Sequence, residues 1–218
     1  MAGLRHITQR RAVIAAALQM NERGINQGTS GNVSLRVAGG CLITPSGIAY
    51  EEMTPAQIVL LDKDGGYDGQ WRPSSEWRMH HDLYAARSDA GAVVHSHSTY
   101  ATALSCLRRD IPAFHYMIAV AGGDSLRCAD YATFGTQELS DHMLSALEGR
   151  SACLLANHGM ICFAESLERA LWLAMEIETL CKQYTFACLA GQPVILDRAE
   201  MEDVLERFRD YGKQESRS

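Results

Sequence analysis

A short apolar strand of this chain ends in two histidines that could bind a metal ion. His95 and His97 are separated only by Ser96 and follow the run Ala-Val-Val. Alternate residues of a strand point to the same face of a sheet, so both imidazoles would lie side by side. Neutral imidazoles are common ligands of Zn²⁺ and similar divalent ions. The pattern therefore indicates half of a metal site, although one structural and one surface histidine would give the same pattern.

Two further residues are candidate ligands. His158 ends another apolar strand, before a glycine, and Glu76 comes early in a helix, after Pro-Ser-Ser. Each has a simpler interpretation, since His158 could be a loop histidine and Glu76 a carboxylate that favours a helix N-terminus. His80 and His81 lie one helical turn beyond Glu76 and are rival ligands. The remaining histidines are interpreted as surface or core residues: His6, His115 and His142.

Three short segments are rich in groups that could bind a phosphate. They combine glycines, which let backbone N–H groups approach an anion, with small hydroxyl residues. The last of them also precedes a predicted helix, whose N-terminus favours negative charge. Ordinary turns use the same residues, so each segment alone is weak support. The segments are Gly28-Thr29-Ser30-Gly31-Asn32, Thr44-Pro45-Ser46-Gly47 and Pro73-Ser74-Ser75.

The composition is that of an ordinary water-soluble protein. The 218 residues are 47% hydrophobic and 21% charged, with a formal net charge of −6. Lys and Arg are scattered, which argues against a nucleic-acid partner. The seven cysteines are odd in number and form no CxxC, so we expect reduced thiols and a cytoplasmic location. No targeting or membrane segment is expected, because the apolar stretch 12–18 is too short to cross a bilayer.

Helices and strands alternate along the chain, which favours one α/β domain over residues 1–218. Several strand pairs are joined too tightly for crossover helices. We therefore expect a three-layer α/β/α sandwich with a mixed, largely antiparallel central sheet. Thr54-Pro55 predicts a short helical turn. Ser74 or Ser75 is predicted to cap a helix. The segment AFHYMIAVAGG has no clear period, so no element is predicted for it. Helices are predicted over residues 8–23, from Ser74 or Ser75 to about 87, 98–106, 136–147, 166–190 and 199–211, and strands at 33–37, CLI, IVLLD, GAVVHSH, 152–156 and MICFA.

Taken together, these residues resemble the class II aldolase/adducin family over nearly the whole chain. So many segments in one order make chance similarity a poor explanation. The match is loosest over residues 191–205. The segments that carry the resemblance are GTSGNVSLR, LITPSGIAYEEMT, PSSEWRMH, AVVHSHS, IPAFHYMIAVAGGDS, YATFGTQELS, NHG and LERALWLAMEIETL.

The resemblance implies roles for individual residues. His95, His97 and His158 would bind the metal, with Glu76 as the fourth ligand and then as acid/base once substrate displaces it. The metal would be Zn²⁺, with Mn²⁺ or Co²⁺ as alternatives. Tyr116 would act on the aldehyde oxygen from a neighbouring subunit of a homotetramer whose active sites lie at subunit interfaces. The phosphate would bind at Gly31, Asn32, Ser46, Gly47, Ser74 and Ser75, and the aldehyde end would be lined by Phe134, Phe208 and Tyr211.

The activity that the resemblance implies is reversible cleavage of a ketose 1-phosphate to dihydroxyacetone phosphate and an aldehyde. The substrate would be L-fuculose 1-phosphate or a related 5-deoxy-ketose 1-phosphate. The residues do not separate this activity from cleavage of 5-deoxyribulose, 5-methylthioribulose or rhamnulose-type 1-phosphates. A pentulose-phosphate 4-epimerase and a catalytically silent interaction module are further alternatives. The presence of all four candidate ligands argues against the silent module.

Overall fold

The computed structural model describes residues 4–67 and 69–208. Helices and strands alternate through these residues, as the sequence predicts. The helices are α1 Ile7–Glu22, α2 Trp77–Ala86, α3 Thr99–Ser105, α4 Gln137–Ala146, α5 Leu167–Ala190 and α6 Arg198–Phe208. The strands are β1 Asn32–Val37, β2 Gly40–Ile43, β3 Val59–Asp62, β4 Ala92–Ser96, β5 Ile111–Pro112, β6 Ser125–Leu126, β7 Cys128–Ala129, β8 Ala152–Leu155 and β9 Gly159–Ala164.

One seven-stranded sheet organises the molecule, in the order β3-β2-β1-β4-β9-β8-β7. Every neighbouring pair is antiparallel except β7 and β8, which are parallel. The expected mixed, largely antiparallel sheet is therefore confirmed. Strand β4 lies at its centre, between β1 and β9, and its register places His95 opposite Asn32 on one side and Ile161 on the other.

Helices cover both faces of the sheet and create two hydrophobic cores. The alternation along β4 sends Val94 into the core shared with α1, α3 and α5, and Val93 into the core shared with α2 and α4. Both valines are fully buried. The arrangement is the predicted three-layer α/β/α sandwich. His95 is two residues from Val93, so its side chain lies on the same side of the sheet as that of Val93.

Local chemistry explains where several helices begin and end. Helix α1 ends just before Gly24, whose φ of +70° suits glycine. The side chains of Thr136 and Ser166 accept hydrogen bonds from the backbone N–H of Leu139 and Arg169, and so cap α4 and α5. Helix α5 buries Leu171, Leu173 and Ile177 among others, as its apolar composition predicts.

Some local predictions were wrong. Helix α2 begins at Trp77, so Glu76 itself occupies the cap position, one to two residues later than predicted. The Thr54-Pro55 segment forms a single turn, closed by a hydrogen bond from the N–H of Gln57 to the carbonyl of Thr54, and does not continue as a helix. The segment without a clear period contains a 3₁₀ turn, Tyr116–Ala121. Strands β5, β6 and β7 are too short to leave a periodic pattern.

All seven cysteines have free thiols. Burial raises the pKa of Cys153, Cys162 and Cys181, so these thiols stay protonated. Cys106 and Cys188 are exposed. Among the residues described here, none of the helices combines the length and apolar character that crossing a membrane requires.

Candidate metal centre

Four side chains from three separate parts of the chain converge at one end of β4. His95 lies near the end of this strand and His97 directly after it, Glu76 is the cap residue of α2, and His158 lies in the turn between β8 and β9. One ligand atom from each side chain lies within 4.8 Å of all the others. The carboxylate of Glu76 lies 3.1 Å from His95 Nε2 and 2.8 Å from His158 Nε2.

The three imidazole rings form a nearly symmetric cup. Their centroids are 4.8–4.9 Å apart and their planes are inclined by 72–79° to one another. The Nε2 atoms of His95 and His97 are 3.1 Å apart. A tetrahedral Zn²⁺ with bonds of about 2.0–2.1 Å would hold its ligand atoms about 3.3 Å apart. Three imidazole nitrogens and a carboxylate with this spacing therefore fit a divalent cation.

The hydrogen bond of His95 Nδ1 determines that Nε2 is the nitrogen available to a metal ion. His95 Nδ1 donates a hydrogen bond of 2.9 Å to the carbonyl of Met160. The neutral ring then carries its lone pair on Nε2, as a metal ligand requires. Because Met160 lies beside β4 on β9, the sheet itself orients this ring.

Two glycines let neighbouring backbone approach the histidine strand closely. A Cβ atom on Gly31 would lie 2.7 Å from the carbonyl oxygen of His95, and one on Gly159 would lie 2.4 Å from that of Ser96. Such contacts are shorter than any side chain tolerates. Both positions are therefore restricted to glycine by packing around the ligand strand.

His158 is held by a tight turn that is anchored on α3. The preceding residue, Asn157, has a φ of +53°, in the left-handed region. Ser105 accepts hydrogen bonds from both residues: its carbonyl from the N–H of Asn157 at 3.1 Å, and its hydroxyl from the N–H of His158 at 3.3 Å. Arg108 Nε donates to Asn157 Oδ1 at 2.6 Å. The third ligand is thus tied to the helix that follows the first two.

Glu76 is buried and held by a polar side chain as well as by the histidines. Asn32 Nδ2 donates a hydrogen bond of 2.9 Å to Glu76 Oε2. Burial disfavours the charged carboxylate, but the charges and hydrogen bonds of His95 and His158 outweigh it and lower the pKa of Glu76. The carboxylate is therefore ionised and ready to coordinate a cation.

The histidine ligands differ in their affinity for protons. Burial also disfavours the charged form of His95, but the charge of Glu76 and the hydrogen bonds to Glu76 and Met160 raise the pKa of His95. Burial, followed by the charges of His95 and His158, lowers the pKa of His97 to about 4. At neutral pH His97 is a neutral ligand.

The two rival ligands predicted from the sequence are not part of the cup. His80 is fully buried but makes hydrogen bonds to Ser34 and Asn32. His81 lies near Asp82 and the carbonyl of Lys63. Burial, reinforced by the charge of His95 and only partly opposed by Glu76, lowers the pKa of His80 to about 3. His80 is therefore neutral and contacts Asn32 and Ser34 instead of a metal ion, which the sequence did not reveal.

A cavity of about 370 Å³ opens above the cup. Glu76, His97 and His158 line it, together with hydroxyl-bearing residues from two of the three donor-rich segments. The aromatic rings of Tyr131 and Phe134 also line it. The full set of lining residues is Thr29, Ser30, Ser75, Glu76, His97, Tyr131, Ala132, Phe134, Asn157 and His158.

The three donor-rich segments are neighbours in the structure. The N–H of Ser74 donates to the carbonyl of Thr44 at 3.0 Å, and Pro45 bridges to Pro73. The hydroxyl of Thr44 in turn accepts from the N–H of Val33 at 3.2 Å, next to the Gly31-Asn32 pair. Ser46, Gly47 and Ser75 are exposed, whereas Gly31, Asn32 and Ser74 are buried.

Two of these buried groups already have partners. The N–H of Gly31 donates to Asn26 Oδ1 at 2.9 Å. Both polar side-chain atoms of Asn32 are engaged, Nδ2 with Glu76 and Oδ1 with His80. The exposed residues Ser46, Gly47 and Ser75 are therefore better placed to meet a ligand than the interior of the first segment.

The aromatic candidates fall into two groups. Phe134 lines the cavity and is 63% exposed. Tyr116 is 50% exposed, is not among the cavity-lining residues, and packs near Phe208 with ring centroids 6.5 Å apart. Tyr131, which the sequence did not single out, lines the cavity beneath the guanidinium of Arg108. Tyr211 lies outside the described residues.

Comparisons with known proteins agree with this geometry. The model of the family described as "Class II Aldolase and Adducin N-terminal domain" matches residues 11–185. The chain is 52% identical over 206 residues to a 5-methylthioribulose-1-phosphate/5-deoxyribulose-1-phosphate aldolase of Rhodospirillum rubrum, covering 94% of this chain and 93% of that protein. It is 51% identical over 203 residues to the L-fuculose phosphate aldolase of Escherichia coli K12, covering 93% and 94%.

A solved structure shares the whole architecture. It is titled L-fuculose 1-phosphate aldolase and superposes with a TM-score of 0.91 at 41% identity, covering 96% of this chain and 100% of that one.

Proposed function

Because this chain belongs to the class II aldolase/adducin family, we propose that it cleaves a ketose 1-phosphate reversibly into dihydroxyacetone phosphate and an aldehyde. It is a class II, metal-dependent aldolase, and therefore a lyase. The observation that carries the proposed reaction is the cup of Glu76, His95, His97 and His158 at the floor of a cavity with hydroxyl donors at its edge.

The cup would hold the metal, which we propose to be Zn²⁺. Imidazole nitrogens and a carboxylate suit this ion, and also Mn²⁺ or Co²⁺. When bound, the cation polarises the substrate ketone and stabilises the negative charge that develops as the carbon–carbon bond breaks. Three neutral imidazoles leave the cation most of its positive charge, which thiolates would reduce.

Glu76 would transfer the proton on carbon. When the C3–C4 bond of a ketose 1-phosphate breaks, its electron pair stays on C3, which must then gain a proton to become dihydroxyacetone phosphate. The Glu76 carboxylate is buried and lines the cavity. It would leave the cup when a substrate takes its place. Away from the cup, Glu76 would take up a proton from solvent and deliver it to C3 during cleavage, and in the reverse direction the carboxylate would remove that proton from C3.

The phosphate would bind at the part of the cavity lined by hydroxyl groups, next to Ser75. The exposed groups Ser46, Gly47 and Ser75 support this assignment, with buried Ser74, Gly31 and Asn32 behind them. Neutral hydroxyl and N–H donors would hold the phosphate, away from the bond that breaks. Such binding positions the substrate without taking part in the chemistry.

Tyr116 would exchange the proton of the C4 oxygen, taking it during cleavage and returning it to the aldehyde oxygen during synthesis. Its own chain holds Tyr116 beside Phe208 and outside the set of cavity-lining residues. A second copy of the chain must therefore bring the phenol to the cavity. This requirement supports a homotetramer with active sites at its interfaces. Phe134, from the same chain, and Phe208 and Tyr211, near the C-terminus, would surround the aldehyde.

An assay of a substrate panel tests the proposal directly. Release of dihydroxyacetone phosphate would be measured with L-fuculose 1-phosphate and with 5-deoxyribulose, 5-methylthioribulose and rhamnulose 1-phosphates, before and after treatment with a chelator. We expect release from at least one of them, lost with the chelator and restored by Zn²⁺. Epimerised product without free aldehyde, or release that survives removal of the metal, would contradict the proposal.

The substrate could also be a 5-deoxy-pentulose 1-phosphate of nucleoside salvage. The specific support for this second candidate is the similarity to the Rhodospirillum rubrum protein, which at 52% identity is close to the 51% identity to the L-fuculose phosphate aldolase. The apolar rings of Tyr131 and Phe134 would accept a methyl or methylthio group. The ratio of kcat/KM values across the panel separates the two candidates.

The enzyme would act in the cytoplasm as one domain spanning residues 1–218. All seven thiols are unpaired, which suits a reducing compartment. Both hydrophobic cores pack against the same sheet, which supports a single folding unit.

A further inference from the structure

A chain of hydrogen bonds leads from Glu76 into the interior of the protein. Asn32 Nδ2 donates to Glu76 Oε2 at 2.9 Å, and Asn32 Oδ1 contacts His80 Nε2 at 2.5 Å. On the far side of the ring, His80 Nδ1 is 2.7 Å from Ser34 Oγ, which is 2.8 Å from the phenol oxygen of Tyr84. The four residues beyond Glu76 belong to β1 and α2.

All four of these polar side chains are buried. His80 and Ser34 are fully buried, Asn32 is 2% exposed and Tyr84 is 7% exposed. A buried polar group stabilises a fold only when it is fully paired, and apolar residues of similar shape would often do as well. A complete polar chain that ends on the carboxylate of a metal cup therefore points to a task at that carboxylate.

The chemistry of each atom fixes the direction of every hydrogen bond. Asn32 Oδ1 can only accept, so His80 Nε2 must carry the proton and donate it. Neutral His80 then has a lone pair on Nδ1, which accepts from the hydroxyl of Ser34. The oxygen of Ser34 accepts in turn from Tyr84. Every donor in the chain of hydrogen bonds points towards Glu76. Each contact pairs one donor with one acceptor.

The carboxylate of Glu76 can only accept a hydrogen bond, so the NH₂ group of Asn32 must face Glu76 and its Oδ1 must face His80. If the amide were flipped, its oxygen would face the carboxylate of Glu76, and its NH₂ group would face the N–H of His80. Both contacts would be repulsive. His80 therefore keeps the NH₂ group of Asn32 turned towards Glu76, where it holds one carboxylate oxygen.

We propose that His80 is a positioning residue for the acid/base carboxylate, acting through the amide of Asn32. The inference rests on the proposed function, in which Glu76 transfers the proton of dihydroxyacetone phosphate. His80 does not touch the cation or the substrate. Its Nε2–H orients the Asn32 amide, and the amide holds Glu76 Oε2. The Glu76 carboxylate is thereby directed at the reacting carbon after the carboxylate leaves the metal.

Two substitutions of His80 separate this role from simple packing. In His80→Gln the side-chain amide reaches about as far as Nε2 and can still donate to Asn32. In His80→Asn the shorter amide matches Nδ1, and can meet Ser34 but not Asn32. Both are neutral and polar, so they differ mainly in the contact that the proposal needs.

The measurement is the exchange of the hydroxymethyl proton of dihydroxyacetone phosphate with deuterium, followed by NMR without any aldehyde. This exchange reports the proton transfer of Glu76 apart from carbon–carbon bond cleavage. We expect His80→Asn to slow exchange per bound metal about tenfold or more, since displacement of a reacting group by about 1 Å can cost 10²-fold in rate. We expect His80→Gln to stay within about threefold of the unmodified enzyme.

Metal content and melting temperature are measured for each variant. Exchange by His80→Asn at the unmodified rate would overturn the role of His80, as would an equal loss in His80→Gln. If His80→Asn does not fold, Ser34→Ala replaces it, because loss of the Ser34 donor frees the ring to change tautomer. About threefold slower exchange is then expected, and an unchanged rate overturns the proposal. Absence of exchange in the metal-loaded, unmodified enzyme would instead contradict the proposed function.

Discussion

His95 and His97 bring their Nε2 atoms within 3.1 Å of each other across a single intervening residue. In an extended strand this approach is available only to residues two apart, which face the same side of the sheet. Ser96, between them, is buried on the opposite face. The strand therefore supplies two adjacent corners of a metal site, and Glu76 and His158 supply the others.

Substitution of His97 should remove the metal and nearly all turnover. His97→Ala deletes one of three imidazoles, and we expect loss of bound metal and a fall in kcat of about 10²-fold or more. Metal analysis and release of dihydroxyacetone phosphate are the measurements. His142→Ala is the matched control, since His142 lies outside the cup and its Nδ1 donates a hydrogen bond to the carbonyl of Asp130. Retention of metal by His97→Ala would mean that the ligands are misassigned.

Metal binding to the metal-free protein should release protons. The pKa of His95 is raised above its ordinary value of 6.5, so at pH 6.5 this histidine is more than half protonated. Coordination requires neutral Nε2, and Glu76, with a lowered pKa, has no proton to release. We therefore expect more than half a proton released per ion at pH 6.5, decreasing as the pH rises above the pKa of His95. Calorimetry in two buffers of different ionisation enthalpy measures the release, and a smaller value at pH 6.5 would refute the assignment.

Tyr116 should affect turnover without affecting the metal. Tyr116→Phe keeps the ring beside Phe208 but removes the phenol, and we expect kcat to fall about 10²-fold with full metal content. Tyr67→Phe serves as the control, because Tyr67 is also exposed but lies away from the cavity. Loss of metal in Tyr116→Phe in proportion to activity would contradict the role on the aldehyde oxygen.

Subunit mixing tests whether the phenol comes from another copy. Co-expressed His97→Ala and Tyr116→Phe subunits would form hybrid oligomers in which some sites combine an intact cup with an intact phenol. Random assembly predicts recovery of about a quarter of full activity. Each variant alone should remain nearly inactive. If the mixture is no more active than its parts, both groups belong to the same chain.

A negative charge at Ser75 should oppose phosphate binding. Ser75→Asp would place a carboxylate at the proposed phosphate site, so we expect KM for the ketose phosphate to rise tenfold or more, with metal content unchanged. Ser75→Asn has nearly the same shape without the charge and should raise KM much less. Equal values of KM for the two variants would indicate that the phosphate binds elsewhere.

Gly159 should tolerate no side chain. The Cβ of Gly159→Ala would lie 2.4 Å from the carbonyl oxygen of Ser96, so β4 and β9 must separate. Overpacking of this kind costs about 1–3 kcal/mol, and thermal unfolding measures it. Gly191→Ala is the control, because its Cβ would meet nothing within 4 Å. Equal stability of the two variants would show that the strands adjust freely.

The features predictable from sequence were those set by short-range spacing. The strand period alone placed His95 and His97 on one face, and the interleaving of elements gave the sandwich. Glu76 and His158 could be chosen over rival residues only through the family resemblance, because their approach depends on how α2 and the β8–β9 turn pack. The role of His80 depends on Asn32 lying opposite His95 across the sheet, a register that no local pattern specifies.

The turn that carries His158 is fastened to α3, whereas the other ligands come from β4 and α2. An ion in the cup would therefore cross-link three parts of the chain that only folding brings together. The two cores that hold those parts in place are apolar and do not include the ligands. We therefore expect the enzyme to remain folded when a chelator removes the ion, and to rebind the ion afterwards. The metal available in the cell would then set the active fraction of the folded protein.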